Sequence, residues 1–225
     1  FWEDFSGYMQ PLASKYIAAT DVELTVRAVS QRTTAWTKQW SKDLSGLMQL
    51  ESNTQIEKIL TTAMDEGQSV AEVTQALMDS GIRNEYVRAR KTALTETLRA
   101  HSVASQEAMM QSPSVVEKEW RHSGAYRNTP RANHAAMSGQ RVSKEAAYVL
   151  QGQDGGTYYP LYPRDPSLPA GESINCHCIS QPIVSEEILG LPIEERRLLQ
   201  EEALAAMDDA WEEELYLKNK ALAGL

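Results

Sequence analysis

The spacing of apolar and polar residues predicts a chain that is mostly helical over its first half. Ser69, with Glu72 three positions later, matches a capping box, and the apolar residues that follow recur at helical spacing. The next helix is expected to end before Pro113, because proline cannot continue the hydrogen-bond ladder. Besides the short helix after Ser69, the helical pattern covers residues 12–45, 53–65 and 84–111.

The pattern changes after Pro113. The run from Val115 to Trp120 predicts the start of a strand, and a tract rich in Gly, Pro, Asn and Tyr follows it. Such a tract buries little apolar area by regular packing. It must therefore pack against the helical half or be held in place by another interaction. Beyond Pro192 a helix with many acidic residues is expected to run to about Leu222.

These patterns define an α+β fold class. We predict a helical region over residues 1–113, a small loop-rich α/β module with short β-strands over 114–185, and a C-terminal acidic helix over 186–225.

Charge limits the partners that the chain can bind. Lys and Arg number 22 against 31 Asp and Glu, which gives a formal net charge of −9 and opposes broad attraction to phosphate backbones. A local contact with nucleic acid would have to use one of two groups of basic residues. These groups are Arg83, Arg88, Arg90, Lys91 and Arg99, and Arg121, Arg127, Arg131 and Arg141. Solvated faces with salt-bridge partners are the favoured interpretation of both.

Two cysteines, Cys176 and Cys178, exclude a disulfide-rich scaffold. One residue apart in extended backbone, their side chains share a face and could both reach one metal ion. A structural zinc ion needs four ligands, and His134 with either His122 or His177 could complete the set. The alternatives are plain packing of two buried thiols and, disfavoured by geometry, a disulfide between them.

The sequence favours a protein that is not an enzyme. His134 could act as a catalytic base, but no nucleophile, phosphate-binding loop or paired carboxylates accompany it, so a structural histidine is the favoured interpretation. Glu96 and Arg99, three apart on a helix, are expected to form an ion pair, either on the helix surface or docking the module. No apolar run approaches the ~20 residues that span a bilayer, so we expect no membrane partner and synthesis in the cytoplasm.

Three segments occur in a characteristic order. They are the helical run Arg88 to Thr97, the set Trp120, Arg131, His134 and Gly139, and the run from Tyr162-Pro163-Arg164-Asp165-Pro166 through Gly171-Glu172 to Asn175-Cys176-His177-Cys178. In this order and spacing the chain resembles the phage Mu F-like minor head proteins, a family of phage head morphogenesis. The resemblance covers most of residues 60–185.

The resemblance implies a minor head (capsid) protein of a tailed phage that acts in head assembly, DNA packaging or DNA delivery. The partners it implies are the portal protein and the major capsid protein. The location it implies is the virion head at the portal vertex, and the host cytoplasm during assembly. Two alternatives stay open: a head-carried metal-dependent nuclease or toxin-like enzyme, and a packaging factor that contacts DNA through the local arginine groups.

Overall fold

The computed structural model describes the backbone of residues 2–47, 53–80, 86–123 and 130–222, and the side chains of residues 7–40, 58–80, 92–123 and 130–217. The α-helices described are α1 (Trp2–Ala18), α2 (Gln31–Leu47), α3 (Asn53–Asp65), α4 (Val70–Asp79), α5 (Tyr86–Gln111), α6 (Ala132–Ala136), α7 (Ala170–Ser173), α8 (Glu186–Leu189) and α9 (Ile193–Leu222). The strands described are β1 (Val115–Arg121), β2 (Arg141–Ser143), β3 (Leu150–Gln151), β4 (Thr157–Tyr158) and β5 (Ile179–Val184). The predicted α+β class is confirmed. Within the described ranges, no helix is both long and apolar enough to cross a membrane.

The local signals in the helical half lie where the sequence predicts them. The Ser69 hydroxyl accepts from the Glu72 amide at 3.3 Å, and the Glu72 carboxylate accepts from the Ser69 amide at 2.6 Å. This reciprocal pair satisfies two amides that a helix start leaves without intrahelical partners. Helix α5 ends at Gln111, two residues before Pro113, as the missing proline N–H requires.

The predicted continuous helix over residues 12–45 is wrong. Helix α1 begins earlier, at Trp2, and ends at Ala18, and α2 begins at Gln31. Between them the chain turns back along α1, where Leu24 and Val26 are buried. The Val26 amide donates to the Ser14 hydroxyl at 3.1 Å, and its carbonyl accepts from the Gln10 amide at 2.8 Å. These long-range bonds replace the helical ladder, and they are invisible to local pattern.

Three clusters of buried apolar side chains form the core. The first joins α1, the segment around Leu24 and the C-terminal half of α5, and the second joins α3 and α4 to the N-terminal half of α5. The third belongs to the loop-rich module and consists of Trp120, Met137, Tyr148, Leu150, Leu168, Cys176 and Cys178. The module therefore has a small core of its own, and both cysteines lie inside it.

A three-stranded antiparallel sheet in the order β2-β1-β5 supports the module. The central strand β1 pairs Glu117 with Ser143 on one side and with Ile183 on the other. Strands β3 and β4 form a separate two-stranded ladder in which Leu150 pairs with Tyr158. The sheet brings Trp120, near the end of β1, beside Cys178, which directly precedes β5.

Helix α9 lies against α2 and α5 and is held by polar contacts. Arg196, buried in α9, donates to the carboxylates of Asp21 and Glu23, and Gln200 donates to the Thr25 carbonyl at 2.9 Å. These contacts cross the predicted limits at residues 113 and 185. The limits themselves remain a prediction.

Candidate metal centre and its arginine supports

The Asn-Cys-His-Cys run turns sharply after α7. Asn175 has φ +56°, a left-handed conformation that asparagine tolerates better than most residues, and its amide donates to the Thr95 hydroxyl of α5 at 3.0 Å. Cys176 and Cys178 are both 2% exposed, whereas His177 between them is half-buried. The two thiols therefore enter the module core together.

His134 reaches the same point from the short helix α6. Its Nδ1 lies 3.5 Å from Cys176 Sγ and 3.7 Å from Cys178 Sγ, and its side chain is 2% exposed. The three potential ligand atoms lie within 4.8 Å of one another. Zinc bonds of about 2.3 Å to sulfur and 2.05 Å to nitrogen, at a tetrahedral angle, separate nitrogen and sulfur by about 3.6 Å. The observed separations fit one metal ion held by these three residues.

Glu172 fixes the orientation of the imidazole. Its Oε2 lies 2.8 Å from His134 Nε2 and also accepts from the Asn133 amide at 3.0 Å, while its Oε1 accepts from the Gln153 backbone amide at 2.8 Å. Burial raises the pKa of Glu172, but the bonds from Gln153, Asn133 and His134 outweigh burial and lower it overall. The Glu172 carboxylate on Nε2 holds the ring so that Nδ1 faces the sulfurs, the orientation found in carboxylate–histidine–metal arrangements.

The electrostatics of the cluster favour negative sulfur. A hydrogen bond from Cys178 is the largest influence on Cys176, and with the His134 bond and the Arg164 charge it lowers the pKa of Cys176 to about 4. The same bond to Cys176, together with burial, raises the pKa of Cys178. The pKa of Cys176 thus lies below, and that of Cys178 above, the ordinary value of a thiol. Thiolate is the form of cysteine that binds metal.

Arg164 supports the backbone of both cysteines. Its guanidinium, buried at 2% exposure, donates from Nη1 to the Cys176 carbonyl at 2.7 Å and to the Cys178 carbonyl at 2.8 Å. Its Nη2 donates to the hydroxyl of Ser102 in α5. Arg164 has φ +68°, an uncommon conformation for arginine that this bonding maintains. One side chain thus ties the cysteine run to the helical half.

Arg99 makes a second connection between α5 and the module. Its Nε donates to the Arg164 carbonyl at 3.0 Å, and its Nη2 donates to the Ser173 hydroxyl at 2.8 Å. Its Nη1 pairs with Glu96 at 3.0 Å, which confirms the predicted ion pair, and Glu96 also accepts from the Trp40 indole at 2.9 Å. The pair is buried beneath the module rather than lying on a free helix surface.

Two aromatic side chains enclose the cluster of His134, Cys176 and Cys178. Trp120 is fully buried and meets the His134 ring edge-to-face, with ring centroids 5.7 Å apart and an interplanar angle of 82°. It meets Tyr148 in the same manner at 5.2 Å. These contacts limit rotation of the imidazole and shield the thiols from water.

The structure does not bring the predicted fourth ligand to the cluster. Among the residues it describes, the group of potential ligands within reach of one ion is His134, Cys176 and Cys178, without His122 or His177. His177 lies on the opposite side of the extended run from its neighbours, because side chains alternate there, and its Nε2 is 3.4 Å from Asn175 Oδ1.

The arginine groups considered for DNA contact are engaged in the fold where their side chains are described. Arg121 and Arg141 both pair with the buried Glu119, each at 2.7 Å, and Arg131 donates to the Ile174 carbonyl at 2.6 Å. Arg99 is buried as described above. The remaining members, Arg83, Arg88, Arg90, Lys91 and Arg127, lie outside the described side chains. Each arginine of these groups whose side chain is described thus already has a carboxylate or carbonyl partner within the chain.

Sequence reasoning did not assign roles to Arg164, Glu172 or Arg99 in holding the cysteine run. Arg164 and Glu172 stand within the motif segments, but nothing in local spacing shows that an arginine will point at two backbone carbonyls. The one signal that singles out such a residue is a charged side chain that is buried in the fold and has no oppositely charged residue near it in the sequence.

The fold and the cluster define an α+β protein whose loop-rich module is fastened to helices through buried arginines and a His-Cys-Cys group. The family model described as Phage Mu protein F like protein matches residues 54–181, more than half of the chain. The chain is also 37% identical over 212 residues to uncharacterized protein YqbB of Bacillus subtilis (strain 168), which covers 92% of this chain and 68% of that protein. No solved structure matches significantly. The chain belongs to the Phage Mu protein F like family, and is thereby a phage head protein associated with the virion.

Proposed function

We propose that this chain is a minor head protein that docks on the portal and acts in head assembly, DNA packaging or DNA delivery. The observation that carries the proposal is the match of residues 54–181 to a family of phage heads, in a region that the structure shows to be a braced module. Buried hydrogen bonds from Arg99 and Arg164 hold this module on α5. The module can therefore present a surface of constant shape to a partner. The major capsid protein is the second partner that we propose.

We further propose that the module holds one structural zinc ion through His134, Cys176 and Cys178. Zinc favours sulfur and imidazole ligands, and the nitrogen–sulfur separations match those around a tetrahedral ion. Glu172 supplies the second contact that metal-bound histidines usually make, and Arg164 places positive charge beside the thiolates. Because the module core is small, metal binding would add directly to its folding free energy.

The role that we propose is structural rather than catalytic. The three ligand side chains are each 2% exposed, and Trp120 and Tyr148 cover them, so a substrate would have to displace core residues to reach them. Among the described residues, three ligands would leave the fourth position of a zinc ion without a protein ligand; catalytic zinc sites keep that position open to substrate, whereas here it would be enclosed. A purified protein that cuts DNA or RNA in a manner dependent on added divalent metal, and loses this activity with His134→Ala, would contradict this part of the proposal.

The metal proposal is tested by elemental analysis of the purified chain. About one equivalent of zinc per chain is expected, together with a lower melting temperature after chelation. Cys176→Ser and Cys178→Ser are expected to lose the metal, whereas the control His177→Ala keeps it. A wild-type protein without metal whose melting is unchanged by chelator would overturn the proposal.

The assembly proposal is tested with the portal protein encoded by the same phage. Co-expression is expected to give a complex that co-purifies, and heads made without this chain are expected to be defective in DNA content or infectivity. Heads that lack the chain yet are fully infectious, with normal DNA content, would contradict it.

A further inference from the structure

Helix α9 has an open side that lies apart from the group of His134, Cys176 and Cys178. Beside α9 lies an open groove of about 660 Å³, bounded by α2, α5 and the loop that precedes α7. Its apolar lining includes Trp36, Val103, Met110, Leu161, Ala206 and Met207. Three alanines of α9, at positions 203, 206 and 210, face this groove, and small side chains allow another backbone to approach closely.

Two charged groups of the groove, Glu107 and Lys144, are bonded within the chain, whereas the Trp36 indole N–H is buried without a hydrogen-bond partner among the described residues. The Glu107 carboxylate accepts from the Ser30 amide at 2.7 Å and from the Thr33 hydroxyl at 2.6 Å. The Lys144 ammonium donates to the Met110 and Ser112 carbonyls at 3.2 and 2.8 Å. The groove therefore offers apolar surface rather than a site for a polar small molecule.

The groove side of α9 continues with a coiled-coil spacing in which five members are apolar and one, Glu213, is acidic. Steps of four, three, four, three and four residues connect its members, which are Leu199, Ala203, Ala206, Ala210, Glu213 and Leu217. This alternation is that of the a and d positions of a heptad. We call these six residues the α9 seam. Leu199 and Leu217 at its two ends are 37% and 56% exposed, so the seam is open beyond the groove as well.

Acidic residues flank the seam at a fixed heptad position. Glu195, Glu202 and Asp209 follow one another at intervals of seven residues, and all three are exposed. In coiled coils, residues at such flanking positions select the partner by charge. A second copy in antiparallel orientation would place this acidic row against itself, which like-charge repulsion opposes.

We propose that the α9 seam binds an amphipathic helix of another protein, one that carries basic residues beside its apolar stripe. The small seam residues admit a close helix, the groove supplies apolar area, and the acidic row is complementary to lysine or arginine. The inference rests on the proposed assembly function in that it assigns a surface to a head partner, and it is independent of the metal.

The test uses two synthetic helical peptides of about 18 residues, or five turns, with the same leucine and alanine stripe. One has lysine at the flanking positions and the other has glutamate. Binding to the full chain is measured by titration calorimetry. The lysine peptide is expected to bind at least about tenfold more tightly than the glutamate peptide, and added salt is expected to weaken it.

A matched pair of variants separates the seam from general attraction to an acidic protein. Ala206→Arg places a large side chain in the seam, and Ala205→Arg adds the same charge at an exposed neighbour outside it. Both substitutions preserve helix propensity, which circular dichroism checks. Ala206→Arg is expected to weaken lysine-peptide binding by about tenfold or more, and Ala205→Arg by no more than about threefold.

Equal weakening by the two variants, or equal binding of the two peptides, would overturn the proposal. Sedimentation analysis tests whether a second copy of this chain binds the seam instead. A wild-type dimer that Ala206→Arg dissociates and Ala205→Arg leaves intact would assign the seam to a second copy and also overturn it. Since the peptides involve no portal protein, failure here leaves the co-purification experiment to judge the assembly function separately.

Discussion

Arg164 offers the sharpest test of how the module is fastened. Its guanidinium is buried at 2% exposure and donates to the Cys176 and Cys178 carbonyls and to the Ser102 hydroxyl. The substitution Arg164→Met keeps most of the side-chain length but removes every donor. Two carbonyls and one hydroxyl would then lose their partner in a place that water does not reach.

The magnitude follows from the cost of buried polar groups without hydrogen bonds. Each carbonyl left without its donor costs roughly 1–3 kcal/mol. Removing the cation also relieves the cost of burying its charge, which offsets part of this loss. We expect the free energy of unfolding to fall by about 3 kcal/mol, a large fraction of the roughly 5–15 kcal/mol that stabilises an ordinary domain.

Urea unfolding followed by tryptophan fluorescence measures this loss. Arg121→Met is the control, because the Arg121 side chain is 47% exposed and its partner Glu119 keeps a second arginine, Arg141. A loss of no more than about 1 kcal/mol is expected for the control. If Arg164→Met and Arg121→Met destabilise equally, the buried arginine does not fasten the module and the reasoning fails.

Three further substitutions test other contacts. Ser69→Ala removes the capping box of α4 and is expected to lower the free energy of unfolding by about 1 kcal/mol; no change in the urea midpoint would contradict this. Glu107→Gln replaces a buried carboxylate oxygen that accepts hydrogen bonds with a donor, so a loss of about 2 kcal/mol is expected in the same assay. Burial lowers the pKa of Lys118 from its ordinary 10.5 to about 8, so between these values the unfolded chain holds a proton that the folded protein has released. Wild type should therefore gain about 1 kcal/mol over Lys118→Met from pH 8 to 9, and a constant difference across that interval would refute the assignment.

Local sequence determined the elements whose signals are complete within a few residues. The capping box at Ser69, the end of α5 before Pro113 and the strand after it all occur where predicted. Residues 53–65 form a helix over the predicted range. The helical features depend on hydrogen bonds between near neighbours, so a sequence window contains all their participants; the strand is predicted from its residue types, although its partners lie far along the chain.

The break between α1 and α2 could not be predicted in this way. Val22, Leu24 and Val26 alternate with polar residues, and burial of Leu24 and Val26 against α1, with bonds to Ser14 and Gln10, stabilises an extended conformation there. Contacts between residues more than ten positions apart outweigh local propensity there. A sequence window holds only one side of each such contact.

The candidate metal site also depends partly on local sequence and partly on tertiary structure. The sequence by itself indicated the candidate ligands, because Cys176 and Cys178, two positions apart in extended backbone, share a face, and His134 lies in the matching family segment. Only the tertiary structure decided that all three meet within 4.8 Å, that Glu172 orients the imidazole and that Arg164 supports both cysteines. Ligand identity is a property of single residues, whereas convergence depends on how α6, β1 and α5 pack, and that packing is fixed by burial over the whole chain.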